Sequence, residues 1–123
     1  MTKRNIVHIE IPAHNGKESG EFYEKLFGWH IVHDEQMNYT MWETHDGPGG
    51  GFSQVDENTK PGDVLIYVNS GDIEADLKKA VSLGATIIRE KSEIPTIGWW
   101  GIFQDPTGNN IALYTSMNPE FNE

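Results

Sequence analysis

The feature that most constrains the fold is an internal repeat: the two halves of the chain read in the same order. The first half opens with Ile6-Val7-His8-Ile9-Glu10-Ile11, which from Val7 onward alternates apolar and polar like a half-buried strand. A polar turn, His14 to Lys17, leads into a helix expected from about Glu18 to Phe27. Its Phe22, Tyr23, Leu26 and Phe27 fall at helical spacing, and Gly28 stands where a C-terminal glycine cap belongs. Strands are expected over Trp29 to Asp34, Tyr39 to Thr44 and Gly51 to Val55, with the turn Asp46-Gly47-Pro48-Gly49 between the last two. The second half repeats this. Val64 to Asn69 reads as a strand, and Asp72 as the N-cap of a helix to about Leu83, closed by Gly84. Thr86 to Glu90, Trp99 to Gln104 and Asn110 to Thr115 read as strands, with the turn Asp105-Pro106-Thr107-Gly108 before the last. The tail from Met117 is expected to be loosely held.

Each half is thus a β-α-β-β-β module, the first over about 4–56 and the second over about 62–116 of a single domain. A helix covers only one face of such a sheet, and the other must be buried elsewhere. The expected fold class is α+β, with two βαβββ modules forming a curled mixed sheet around a cleft. Such a concave interior suits a small molecule.

Composition narrows the chemistry. There is no cysteine, which excludes disulfides, thiolate nucleophiles and thiolate metal sites. Nineteen acidic residues against nine basic ones give a net charge of −10, a field that repels phosphate backbones, so no nucleic-acid partner is expected. No segment approaches the roughly 20 apolar residues of a membrane span, and none has signal-peptide character. The expectation is a cytoplasmic protein with no membrane partner.

Three segments carry a resemblance. They are Phe22-Tyr23-Glu24-Lys25-Leu26-Phe27-Gly28-Trp29, Gly49-Gly50-Gly51-Phe52, and Ile94 to Trp100 with Phe103-Gln104-Asp105-Pro106-Thr107-Gly108-Asn109. Together and in this order they resemble the vicinal-oxygen-chelate superfamily, the glyoxalase, bleomycin-resistance and extradiol-dioxygenase group. The likeness is greatest to its small single-domain glyoxalase-like proteins. The resemblance implies paired βαβββ modules. Where the superfamily is catalytic, it also implies a divalent metal held by two ligands from each module, one on the first strand and one on the last.

Carried onto this chain, those four positions are unevenly filled. His8 occupies the first-strand position of module one, on the face opposite Val7, Ile9 and Ile11. The last-strand position falls at about Ser53. The first-strand position of module two falls at Leu65, or at Asp63 if a two-residue gap is allowed. Its last-strand position is Ala112, where metal-dependent relatives carry glutamate. His8 is the one clear metal candidate, with Asp63 as a second and Glu10 within reach on the same face. No metal and no cofactor are therefore expected, since catalytic sites generally use about three protein ligands. His30 and His33, three apart on a strand, point to opposite faces and cannot pair as ligands. His14 and His45 fall in turns and are expected to be solvated. The Gly49-Gly50-Gly51 run precedes a strand, not a helix, and lacks the Lys-Ser or Lys-Thr of a phosphate loop. It reads instead as close backbone approach.

The cleft is expected to be lined by His8, Glu10, Trp42, Phe52, Ser53, Leu65, Tyr67, Trp100, Ala112 and Tyr114. Trp99 and Trp100 must face opposite ways, and Trp100 is taken as the one facing the cleft. The segment from Ile94 to Trp99 is expected to form a loop over its mouth. Two functions follow. The first is binding of a small aromatic or hydrophobic molecule without the full metal site, as in bleomycin-binding relatives. The alternative is a metal-dependent lyase, isomerase or dioxygenase with an atypical site around His8. A homodimer that completes the cleft is a further expectation.

Overall fold

A computed structural model describes residues 3–118 and Glu120. Ten elements follow in the order β1 (Ile6–Ala13), α1 (Gly16–Phe27), β2 (His30–Asp34), β3 (Tyr39–Glu43), β4 (Gly49–Gln54), β5 (Leu65–Asn69), α2 (Ile73–Ser82), β6 (Thr86–Ile94), β7 (Gly98–Gln104) and β8 (Asn110–Ser116). The chain is α+β and consists of two βαβββ modules, as the repeat implies. Its contacts divide into one unit of residues 7–65 and a second that joins residue 66 onward to the segment before Val7. Among the described residues no helix is long and apolar enough to cross a membrane.

In the first module the strand order is β2-β3-β4-β1, with β1 parallel to β4 and the other pairs antiparallel. Helix α1 starts because the Asn15 side chain accepts a bond from Glu18 N at 3.1 Å. It stops at Gly28, whose left-handed φ of 73° lets its N–H reach Glu24 O at 2.8 Å. Ala13, Trp42 and Phe52 form the core beneath it, joined by Ile9, Ile11, Tyr23, Trp29 and Ile31. The Tyr23 ring stacks on Phe52 at 5.9 Å and on Trp29 at 5.2 Å, and Trp29 stacks on Trp42 at 4.4 Å. Tyr23 and Trp29 of the "FYEKLFGW" segment are therefore packing residues, whereas Phe22 and Phe27 are exposed.

The second module repeats the order as β6-β7-β8-β5. Asp72 caps α2, accepting from Ala75 N at 3.0 Å. Ile73, Leu77 and Leu113 are its buried centre, with Val68, Ile87, Trp99 and Phe103 around them. Residues 3–6 belong to this unit. Asn69 donates to Lys3 O and Asn5 O, both at 2.9 Å, and Arg4 donates twice to the Asp76 carboxylate, at 2.5 and 2.8 Å.

Four local expectations change. Strand β4 begins at Gly49, not Gly51, and β6 runs on to Ile94 through two register shifts. The segment expected to arch over a cleft is a tight hairpin turn: Ile97 N bonds Ile94 O at 3.0 Å, and Thr96 takes a positive φ of 65°. The tail begins held, because Met117 N donates to Ile97 O at 3.0 Å. Pro119 and residues 121–123 lie outside the described residues.

Candidate functional site

Strand alternation places His8 and Glu10 on the sheet face away from α1, because Ile9 and Ile11 turn into the core beneath the helix. Tyr39, on β3, joins them from across β4. Its O–H donates to Glu10 Oε1 in a very short hydrogen bond. His8 Nε2 lies 2.9 Å from the same carboxylate oxygen and 3.0 Å from the Tyr39 hydroxyl. The side chains of His8 and Glu10 are 30% and 13% exposed.

This triangle depends on a missing side chain. Glu10 is paired with Gly51 in the β1–β4 register, and Met41 with Gly51 in the β3–β4 register. A Cβ on Gly51 would lie 1.8 Å from the Tyr39 hydroxyl oxygen. The tyrosine can therefore reach over β4 only because that position is bare. Gly50 does the same on the other face, where a Cβ would meet the Trp42 ring at 2.6 Å and Ile9 O at 1.8 Å. The glycine run is thus a device for close approach.

With Glu10 ionised, both neighbours donate to Oε1: Tyr39 through its hydroxyl and His8 through Nε2–H. That assigns the lone pair of a neutral imidazole to Nδ1. Glu10 Oε2 is buried and accepts no hydrogen bond among the described residues. A buried carboxylate oxygen with an unfilled lone pair is costly unless something supplies a donor or a cation.

In the second module, Tyr67 and Trp100 share the face away from α2. Their rings are nearly parallel, 10° apart, with centroids 6.0 Å apart, and both are half-buried. Ala112 pairs with Tyr67 in register and is 0% exposed, while Tyr114 pairs with Trp100 and its hydroxyl reaches Ile97 O at 3.4 Å. The Arg89 guanidinium carbon lies 4.5 Å from the Trp100 ring centroid. Trp99 turns the other way and packs with Ile73, Leu77 and Leu113, so Trp100 is the tryptophan on the open face.

Several expected lining residues are elsewhere. Trp42 and Phe52, 3% and 5% exposed, are core residues under α1, and the Trp42 indole N–H is satisfied by Gly51 O at 3.1 Å. Alternation relates Trp42 to Tyr39 on opposite faces, and it is Tyr39 that faces Glu10. Ser53 stays on the Gly51 side of β4. Leu65 opens β5 on the Tyr67 side. Asp63 precedes the strand in a turn, where its carboxylate accepts from Lys60 N at 2.9 Å. His33 Nδ1 bonds Thr40 Oγ1 at 2.7 Å, whereas His14, His30 and His45 are exposed. Among the described residues no group of three or more His, Asp or Glu side chains could hold a metal ion. Sequence reasoning missed Tyr39 and Arg89. The bare Gly51 was the signal for the first, and β6 carried none for the second.

The paired modules define a class of fold, and comparisons identify the family. The glyoxalase-like domain family matches residues 7–114, and the chain belongs to it. A protein of Mycobacterium tuberculosis named as a glyoxylase is 26% identical over 103 residues, covering 80% of this chain. This chain spans 38% of the length of that relative. A glyoxylase-like domain-containing protein of Didymella fabae is 28% identical over 121 residues, covering 89% of this chain and 92% of its own. Methylmalonyl-CoA epimerase from Mycobacterium tuberculosis superposes with a TM-score of 0.72 at 15% identity, covering 94% of this chain and 89% of its own. A glyoxalase/bleomycin resistance/dioxygenase superfamily member from Vibrio splendidus superposes at 0.68 with 18% identity, covering 93% and 100%. At these identities the structural matches speak to the fold alone.

Proposed function

We propose that the chain binds a small aromatic or hydrophobic molecule on the sheet face of the second module turned away from α2, without the full metal site of its superfamily. The observation that carries this is the parallel, half-buried Tyr67–Trp100 pair. Half-buried aromatic rings on a rigid sheet offer flat apolar area at low entropy cost. A thermal-shift screen of aromatic and cationic compounds tests it. At least one should raise Tm by several degrees, corresponding to roughly 2–3 kcal/mol at a hundredfold excess over Kd. Trp100→Leu should abolish the shift, and a screen in which nothing stabilises the protein would remove the proposal. The partner in this proposal is a small molecule, not nucleic acid or membrane, in a cytoplasmic protein. A homodimer is part of it, and sedimentation showing monomer alone would remove that part.

A second function, an isomerase, lyase or dioxygenase with an atypical site, is favoured by the His8–Glu10–Tyr39 triangle. A carboxylate that orients an imidazole and a phenol is an arrangement suited to proton transfer. His8 and Glu10 supply two donors where catalytic metal sites use about three protein ligands. The residues present therefore fall short of the superfamily's metal site. Metal analysis of protein purified without chelators decides the metal-dependent form: near-stoichiometric divalent metal lost in His8→Ala supports it, and substoichiometric metal with unchanged affinity in that variant excludes it.

A further inference from the structure

We propose that Arg89 makes the Trp100 face an anion-selective subsite, so that the ligand is a planar aromatic molecule carrying a carboxylate. This rests on the small-molecule function proposed above and adds the class of ligand.

The placement of Arg89 follows from the register of β6 on β7. Ile87 pairs with Phe103, both under α2. Regular pairing would then set Ile88 against Ile102 and Arg89 against Gly101. Gly101 faces the helix, where a Cβ would meet Ile73 at 3.0 Å and Leu77 at 3.3 Å. Instead Arg89 pairs with Ile102, so one extra residue is bulged out before it. Ile102 and Trp100, two apart, share a face, and the bulge turns Arg89 onto it. A second shift brings Ser92 opposite Trp100. Lys91 is left on the far side, 5.3 Å from the Trp99 ring and 3.8 Å from Glu74 of α2. The two irregularities separate the cations of β6, sending Lys91 to the helix side and Arg89 to the aromatic side. Bulges often re-aim a side chain beside a site.

Arg89 is also available for an anion. Its guanidinium is exposed and 4.5 Å from the Trp100 centroid, and its polar contact among the described residues is Ser92 Oγ at 3.5 Å. No carboxylate pairs with it among the described residues, in a chain with 19 acidic side chains. Arg4, Lys17, Lys25 and Lys91 have such a partner, whereas Lys3, Lys60, Lys78 and Lys79, like Arg89, have none among the described residues; it is the place of Arg89 beside Trp100 that sets it apart. A guanidinium beside a ring, without a carboxylate partner, keeps N–H groups for a ligand carboxylate, in a planar fork that an ammonium cannot provide. A ligand ring on Tyr67 and Trp100 would bring its carboxylate to that edge.

The test uses the whole chain, with naphthoate and its neutral isostere naphthamide as probes, followed by tryptophan fluorescence and calorimetry. Naphthoate should bind about tenfold more tightly or better, the size expected of a charge-assisted contact. Arg89→Gln should erase that preference and leave naphthamide affinity unchanged. Lys78→Gln, the same charge change on exposed α2, should leave the preference intact. Equal affinities in the wild type, or a preference that survives Arg89→Gln, would overturn the anion subsite while leaving the aromatic-binding function standing. If neither probe nor any other aromatic compound binds, both fall together.

Discussion

Glu10 gathers more of the site than any other residue. Its Oε1 accepts the Tyr39 hydroxyl and lies 2.9 Å from His8 Nε2, and its Oε2 is buried without a donor among the described residues. Tyr39→Phe removes one donor from a buried carboxylate and should cost about 1–3 kcal/mol, read as a lower urea midpoint with unchanged slope. A variant as stable as the wild type would mean the triangle holds nothing in place. A second charged contact gives a pH signature. The hydrogen bonds from Arg4, followed by that from Ser70, hold the Asp76 carboxyl below its ordinary value of 3.8. Because the folded value is depressed, this contact stabilises the protein above about pH 4 and loses its effect as acid carries the pH down through the folded value. Arg4→Gln should lower Tm at neutral pH and flatten the acid limb of the Tm–pH curve, whereas parallel curves would show that the pair is not coupled to folding. His8 and Glu10 were legible from the alternation of one strand. Tyr39 was not, because its hydroxyl reaches Glu10 from a strand two places away, across a glycine.

At the scale of elements, the helix caps at Gly28 and Asp72 were the most legible parts. Gly28 and Asp72 act at helix ends through local hydrogen bonds, which need no tertiary partner to be recognised, whereas Asn15 was read as part of a turn and α1 starts at Gly16, not Glu18. Leu77 is buried at the centre of the second core, and Leu77→Ala should cost about 2–5 kcal/mol in chemical denaturation. Gly50→Ala is a sharper test of the β1–β4 pairing, since its Cβ would sit 1.8 Å from Ile9 O. A loss of about 3 kcal/mol or failure to fold is expected, the upper range of overpacking. Wild-type stability would show that the two strands do not approach so closely. Trp42 and Phe52 were misplaced because alternation says which residues share a face, but not which face the helix covers. Arg89 was missed because a bulge reverses alternation, and no residue of β6 announces one.

For the whole molecule, repetition and charge matter most. A net charge of −10 makes the folded chain repel itself, so added salt should stabilise it. Tm should rise between about 10 mM and about 200 mM sodium chloride, where the screening length shrinks from about 30 Å to below 10 Å. A falling Tm would mean that specific ion pairs outweigh the general repulsion. The sequence alone determined the α+β class, the two βαβββ modules and the helix caps at Gly28 and Asp72, because each is encoded in periodicities and turn chemistry, and its motifs carried the resemblance to the family. Tertiary structure decided which aromatics became core and which became surface. It also decided that Tyr39 completes the His8–Glu10 pair, and that a bulge hands Arg89 to Trp100. Those outcomes depend on which strand lies beside which, and at what register, and neither is written within any one strand.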